Sequence, residues 1–266
     1  MTIQKSVIAL LTDFGWDDHY VASLKGVILS INPNAVIADI SHSVRPQNVR
    51  DGAFLLREVY PHFPEGTIFV AVVDPGVGSS RRALCVQTSR GFLIGPDNGL
   101  LSLALRHENK FEAREIVNER YFLKPVSATF HGRDIFAPVA AHLSKRNIFV
   151  SLGPRLKTIQ QIPFPAAKKT RNGIVGEIVY LDRFGNAMTN ISKEIFGSRV
   201  SALSRRVQIH VKSLCLYGIC EYFGEGKVNE LMAVWNSSGL LELAVPNGSA
   251  EEQFRLSITD SVRLEI

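Results

Sequence analysis

The sequence predicts an α/β N-terminal domain with a predominantly parallel sheet and flanking helices, followed by a small all-β, barrel-like C-terminal domain. Two observations carry this prediction. As far as about residue 144, apolar strand-like runs alternate with segments of helical period, the pattern of a sheet covered by crossover helices. Beyond about residue 168 the runs are short, rich in β-formers and separated by turn signals. At 266 residues the chain is long for one core, and the change of pattern divides it into domains at 1–167 and 168–266.

The strands of the first half are read at residues 7–11, 35–40, 67–73 and 92–94. Between the first two, Val21, Leu24, Val27, Ile28 and Ile31 recur at the spacing of one helix face, and Asn32-Pro33-Asn34 ends that helix. Val49, Ala53, Leu56 and Val59 do the same before Pro61. Residues 151–171 hold Pro154, Pro163, Pro165 and a basic cluster without clear periodicity, and read as a linker. After it come strands at 174–181, 207–211, 231–235 and 240–245, with the turns Phe184-Gly-Asn186 and Ser237-Ser-Gly239 between them. These suit a small barrel or sandwich, and no internal repeat is visible.

Hydrophobic residues at 45% and charged residues at 21% are ordinary for a globular protein and exclude disorder. The net charge of +5 is carried by scattered pairs such as Arg81-Arg82, Lys168-Lys169 and Arg205-Arg206, so a solvated surface is expected and no nucleic-acid partner. Cys85, Cys215 and Cys220 are odd in number and lack zinc spacing, as expected of buried small hydrophobes in a reducing compartment. The apolar run after Lys5 is too short for a secretion signal and leads into Asp13, so it reads as the first strand. No run approaches the ~20 apolar residues of a bilayer span. A cytoplasmic protein with no membrane partner is expected.

Polar residues that could carry chemistry stand where strands end in glycine punctuation. Asp13 follows an apolar run and precedes Phe14-Gly15. Asp74 precedes Pro75-Gly-Val-Gly78, which is also an ordinary turn, and Arg81 is seven residues later, within reach of its carboxylate. His131 sits in Phe130-His-Gly-Arg-Asp134 just before a helical pattern with Ile135, Phe136 and Val139, and could equally pack or cap. His19, His42 and His131 show no metal-ligand spacing, so no metal is expected. A serine-hydrolase elbow, a Walker loop and a complete dinucleotide fingerprint are also missing; Gly76-Val-Gly78 resembles only part of the last.

In the second half, Leu181-Asp-Arg-Phe-Gly-Asn186 is either a plain hairpin turn or a purine site, with Asn186 offering a donor and an acceptor and Phe184 a stacking face. Strand alternation puts Glu242 on the face of Leu240 and Ala244. If that face is covered, its carboxylate needs a partner such as a ligand ammonium; exposure is the simple alternative.

Taken together, these segments resemble the S-adenosyl-L-methionine hydroxide adenosyltransferase family, the S-adenosylmethionine hydrolases, which are related to fluorinating and chlorinating enzymes. The resemblance rests on Thr12-Asp-Phe-Gly15, His42-Ser43 with Pro46, Asp74-Pro-Gly-Val-Gly78 with Arg81, Pro96-Asp-Asn-Gly99, Phe130-His-Gly-Arg-Asp134, Phe184-Gly-Asn186 and Asn236-Ser-Ser-Gly239. It implies an N-terminal α/β domain, a C-terminal β-barrel domain and a homotrimer with sites at subunit interfaces. It also implies cleavage of S-adenosylmethionine by water to adenosine and methionine, with preference for the inverted (R)-sulfonium epimer and a role in clearing it. The implied catalytic set is Asp74, Arg81 and His131. Substrate contacts carry over to Asp13, Asp74, Asn186, Ser237, Glu242 and Val245, with Asp182, Phe184 and Phe223 matching substrate-contacting positions of the halogenating relatives. No cofactor is implied, S-adenosylmethionine being the substrate.

The chemistry is consistent with that set. A sulfonium is a good leaving group, so attack at the ribose 5′ carbon needs a positioned oxygen nucleophile and exclusion of bulk water. Arg81 is expected to favour the hydroxide-like character of a bound water, with His131 or Asp74 accepting its proton or orienting it. The Asp13 carboxylate suits ribose hydroxyls. A carboxylate at the nucleophile's position would repel a halide, and the chain lacks the fluorinating enzymes' long insertion between Arg82 and Pro96. Ser238 replaces the arginine that holds the methionine carboxylate in those enzymes. The alternatives are a non-catalytic adenosine or S-adenosylmethionine binder and a halide-using adenosyltransferase.

Overall fold

The computed structural model describes residues 7–197 and 206–265; Lys5 and Arg205 lie outside them. The chain divides into two compact units, Met1–Ile162 and Pro163–Ile266. Among the described residues no helix is long and apolar enough to cross a membrane.

The first unit runs β1 (Val7–Thr12), α1 (Tyr20–Ile31), β2 (Val36–Ser41), α2 (Val49–Val59), β3 (Thr67–Val72), β4 (Ala83–Gln87), β5 (Gly91–Pro96), β6 (Glu112–Glu115), α3 (Ala137–Lys145) and β7 (Arg155–Leu156). Its strands form one sheet in the order β2-β1-β3-β5-β4-β6-β7. All six residues of β3 are buried, which is why Ile68 to Val72 form an unbroken apolar run. Val21, Leu24 and Ile28 are the buried stripe of α1, and the amide of Asn32 closes the helix on Ile28 O at 2.8 Å. Asn48 caps α2 by accepting from the Asp51 amide at 3.1 Å. Leu24, Ile28, Val139 and Leu143 from the helices meet Ile8, Leu10, Val70 and Val72 from the sheet in one core.

The sheet is mixed rather than predominantly parallel. β1 pairs in parallel with β2 and β3, and β3 with β5, as the alternating pattern predicts. The β4–β5, β4–β6 and β6–β7 pairs are antiparallel. Ala83–Gln87 is a strand that the sequence reading does not separate from the loop before it. The tight turn after it, closed by Thr88 N donating to Gly91 O at 2.9 Å, is far too short for a parallel crossover.

The second unit runs β8 (Lys168–Thr170), β9 (Gly173–Leu181), β10 (Ala187–Ser192), β11 (Gln208–Val211), β12 (Leu214–Tyr217), β13 (Met232–Trp235), β14 (Leu240–Ala244) and β15 (Ser261–Glu265), with short helices at Lys193–Phe196 and Ala250–Phe254. The strand order is β12-β11-β15-β9-β10-β14-β13, with β8 beside β9. Every strand pair is antiparallel. The segment after β12 returns to the far edge, where Cys220 N donates to Ala233 O in β13 at 2.8 Å, so the sheet nearly closes on itself. Inside it pack Ile178, Ile191, Ile209, Leu241, Leu243, Val262 and Leu264.

Candidate active site

β1 and β3 are neighbours, and the loops leaving them carry Asp13 and Asp74 to one edge of the sheet. The loop after β3 turns tightly. Val77 N donates to Asp74 O at 3.2 Å, and Ser79 donates to Gly76 O through its amide at 3.1 Å and its hydroxyl at 2.6 Å. Ser79 Oγ then accepts from the Arg81 amide at 3.2 Å. Gly78 has φ +76°, and a β-carbon there would collide with the carbonyl oxygen of Ala128. This contact lets the Asp74–Arg81 loop lie directly against the chain that leads to His131.

His131 precedes a single π-helical turn, Gly132–Phe136, which runs into α3. Such turns recur at functional sites. Asp134 within it is fully buried; it takes Arg133 Nε at 2.6 Å and Nη2 at 2.9 Å, and accepts from the Ser127 amide at 2.8 Å. That carboxylate ties down the loop just before His131.

The three side chains proposed from sequence as catalytic come together. Arg81 Nε lies 3.0 Å from each Asp74 carboxylate oxygen, and Arg81 Nη2 lies 2.6 Å from Asp74 Oδ2 and 2.8 Å from His131 Nδ1. The guanidinium also sits 5.4 Å from the centre of the buried Phe136 ring. An arginine only donates, so His131 Nδ1 is the acceptor and its ring hydrogen is on Nε2. Desolvation, followed by the Arg81 charge, lowers the His131 pKa below its ordinary value; the Asp74 and Asp134 charges oppose this.

Asp74 and His131 line a cavity of about 420 Å³, with Asp13, Phe14, Gln47 and Phe130 among the other lining residues. Arg81 is not among them and instead lines a separate polar hollow with Arg82, Asp97 and Asn98. It therefore meets the cavity through its two partners. Asp13 Oδ2 accepts from the Gln47 amide at 2.8 Å. Phe14, Tyr20 and Phe130 form an aromatic wall, their ring centres 5.2–5.7 Å apart. Tyr20, Gln47 and Thr129 were not singled out from sequence, and nothing in their local pattern marks them. Phe14 and Phe130 could have been found as aromatics flanking Asp13 and His131.

The second unit has its own cavity, of about 570 Å³, lined by Phe184, Asn186, Phe223, Val245, Asn247 and Gly248 among others. Asp182 builds its turn: Oδ1 accepts from the amides of Phe184 at 2.8 Å and Asn186 at 2.9 Å, and Oδ2 from Asn186 Nδ2 at 3.0 Å. Phe184 is left 75% exposed, with its ring free to stack. Asp182, Ser237 and Glu242 are not among the lining residues. Ser237 is exposed in the β13–β14 turn, whereas Glu242 is 3% exposed with Asn236 Nδ2 at 3.2 Å from its Oε2. Burial raises the Glu242 pKa, and the Asp182 charge adds to the effect against the opposing Asn236 bond. Among the described residues no group of three or more His, Cys, Asp or Glu could hold a metal ion.

Comparison with known proteins identifies relatives of the whole chain. Residues 8–153 match the SAM hydroxide adenosyltransferase N-terminal domain, and residues 176–263 match the corresponding C-terminal domain. The chain is 38% identical to a Thermus thermophilus protein named (R)-S-adenosyl-L-methionine hydrolase, over 97% of this chain and 98% of that one. It is 25% identical to a fluorinase of Nocardia brasiliensis, over 99% and 98% of the two chains. A solved structure of a conserved Thermotoga maritima protein superposes with a TM-score of 0.89 at 36% identity, covering 97% of this chain and 99% of that one. The chain belongs to the SAM hydroxide adenosyltransferase family.

Proposed function

We propose that the protein hydrolyses S-adenosyl-L-methionine, as its (R)-sulfonium epimer, to adenosine and L-methionine. The observation that carries this reading is the Asp74–Arg81–His131 cluster, two members of which face a cavity beside Asp13. A water in that cavity donates one hydrogen to Asp74 and accepts from His131 Nε2–H. Its oxygen attacks the 5′ carbon, the C5′–S bond breaks, and the bonding pair stays on sulfur as the neutral thioether of methionine. The water proton passes to Asp74. Arg81 acts from behind, holding the Asp74 carboxylate and fixing the His131 tautomer. Attack neutralises the sulfonium, so a site shielded from bulk water favours the transition state over the separated charges.

Asp13 accepts from the ribose hydroxyls in this reading. Phe184, Asn186, Phe223 and Val245 take the adenine, and Ser237, Glu242 and Asp182 contribute to the nucleoside and methionine ends. A homotrimer with sites at subunit interfaces, a cytoplasmic location and the absence of a cofactor belong to the same proposal. Incubation of the purified protein with each sulfonium epimer, followed by chromatography, tests it. Release of adenosine and methionine from the (R) epimer supports hydrolysis, whereas retention of intact ligand supports a binding protein. A 5′-halo-5′-deoxyadenosine product in chloride or fluoride would indicate halide transfer. Sedimentation analysis tests the trimer.

A further inference from the structure

Asp13 stands in a turn whose hydrogen bonds converge on a buried histidine outside the cavity. His42 follows β2, is fully buried and does not line the cavity. Its Nε2 lies 3.0 Å from Asp39 Oδ1, and Asp39 Oδ2 takes Lys25 Nζ at 2.6 Å. A carboxylate held by a lysine accepts only, so Nε2 carries the ring hydrogen and Nδ1 is an acceptor. The Thr12 hydroxyl, 2.8 Å away, therefore donates to Nδ1. Its oxygen keeps its lone pairs, and one accepts from the Phe14 amide at 3.2 Å.

The two neighbours of Asp13 are thus tied through one oxygen whose orientation the imidazole dictates. The backbone repeats the tie: Gly15 N donates to His42 O at 2.7 Å, and Val44 N to Thr12 O at 3.4 Å. Trp16 closes over the imidazole edge-on, with ring centres 4.7 Å apart. Burial lowers the His42 pKa, favouring the neutral ring that the pattern needs.

We propose that His42 is a positioning residue for Asp13: acting through Thr12 Oγ1, it aims the carboxylate into the cavity and so sets the preference of the site for ribose over deoxyribose ligands. This rests on the reading of Asp13 as the ribose acceptor. Nothing else in the His42–Asp39–Lys25 chain reaches the cavity, so its influence on ligand choice passes through that turn.

The test compares adenosine and 2′-deoxyadenosine affinities by calorimetry in the full-length protein and in Thr12→Val, Thr12→Ser, His42→Phe and Asp13→Ala. Thr12→Val keeps the side-chain shape and loses the hydroxyl, so it guards against a His42 variant that fails to fold. Thr12→Val is expected to lose about tenfold of the preference for adenosine, approaching Asp13→Ala, while Thr12→Ser retains it. A folded Thr12→Val with the full wild-type preference overturns the proposal when Asp13→Ala has lost it. If Asp13→Ala keeps the preference, the ribose reading of Asp13 fails, and with it the specificity role. Hydrogen exchange at the Gln47 amide, which donates to Asp13, then judges positioning alone: faster exchange in Thr12→Val upholds it and unchanged exchange overturns it.

Discussion

Arg81 donates to Nδ1 of His131 at 2.8 Å, which leaves the only hydrogen of the neutral imidazole on Nε2. In the mechanism proposed above the histidine therefore meets the attacking water as a donor, and the proton acceptor is Asp74, which the same guanidinium nitrogen holds at 2.6 Å. Local sequence leaves these two roles open between the two residues. In the proposed mechanism one bond between side chains 50 positions apart separates them.

Replacing Arg81 with lysine keeps the charge and loses the fork that spans Asp74 and His131. We expect kcat to fall about 100-fold or more with adenosine affinity changed less than about threefold. Steady-state kinetics beside calorimetry check this. Equal loss of both would make Arg81 a structural residue.

The His131 pKa is lowered by desolvation first and by the Arg81 charge second. Activity that needs the neutral ring is therefore expected to persist below pH 6.5 and to fall only as the ring protonates at a lower pH. Arg81→Met removes a cause that lowers the pKa, so an NMR titration of the His131 ring should move upward. A downward movement would contradict the assignment. For stability, the unfolded chain takes up this proton first as pH falls below its ordinary 6.5, so the contribution of His131 is lost on the acid side.

Glu242 is a buried carboxyl whose pKa is raised, first by burial. A folded-state pKa above the unfolded 4.5 contributes stability below 4.5 that is lost as pH rises through the folded value. Glu242→Gln should accordingly melt above the parent protein at neutral pH, with the difference shrinking in acid. A ligand ammonium would reverse the preference, so methionine or S-adenosylmethionine should stabilise the parent more than the variant. Thermal melts with and without ligand decide it.

Gly78→Ala would put a β-carbon against the Ala128 carbonyl at a positive φ. The expected cost is about 1–3 kcal/mol of stability, together with a fall in kcat as the Asp74–Arg81 loop moves away from His131. Denaturant unfolding and kinetics measure the two effects. An unchanged kcat in a folded variant would show that this close approach does not position the cluster.

Local sequence patterns determined much of this molecule: the apolar runs that become β1, β3 and β14, the amphipathic stripe of α1, the placing of Asp13 and Asp74 beside glycine turns at the ends of buried strands, and that of His131 beside Gly132 just before a helix. Those features depend on near neighbours in the chain, so periodicity and turn chemistry reveal them. The antiparallel half of the first sheet was hidden because β6, Glu112-Ala-Arg-Glu115, carries three charges and has no apolar run. β15 was legible in principle, since Val262 and Leu264 alternate with exposed Ser261, Arg263 and Glu265. Only the tertiary structure decided that Arg81 donates to Nδ1 of His131, that Arg81 lines a hollow apart from the cavity of Asp74 and His131, and that His42 bonds Thr12 beside Asp13. Each of those depends on the direction of a hydrogen bond between residues distant in the chain, which folding alone brings within reach.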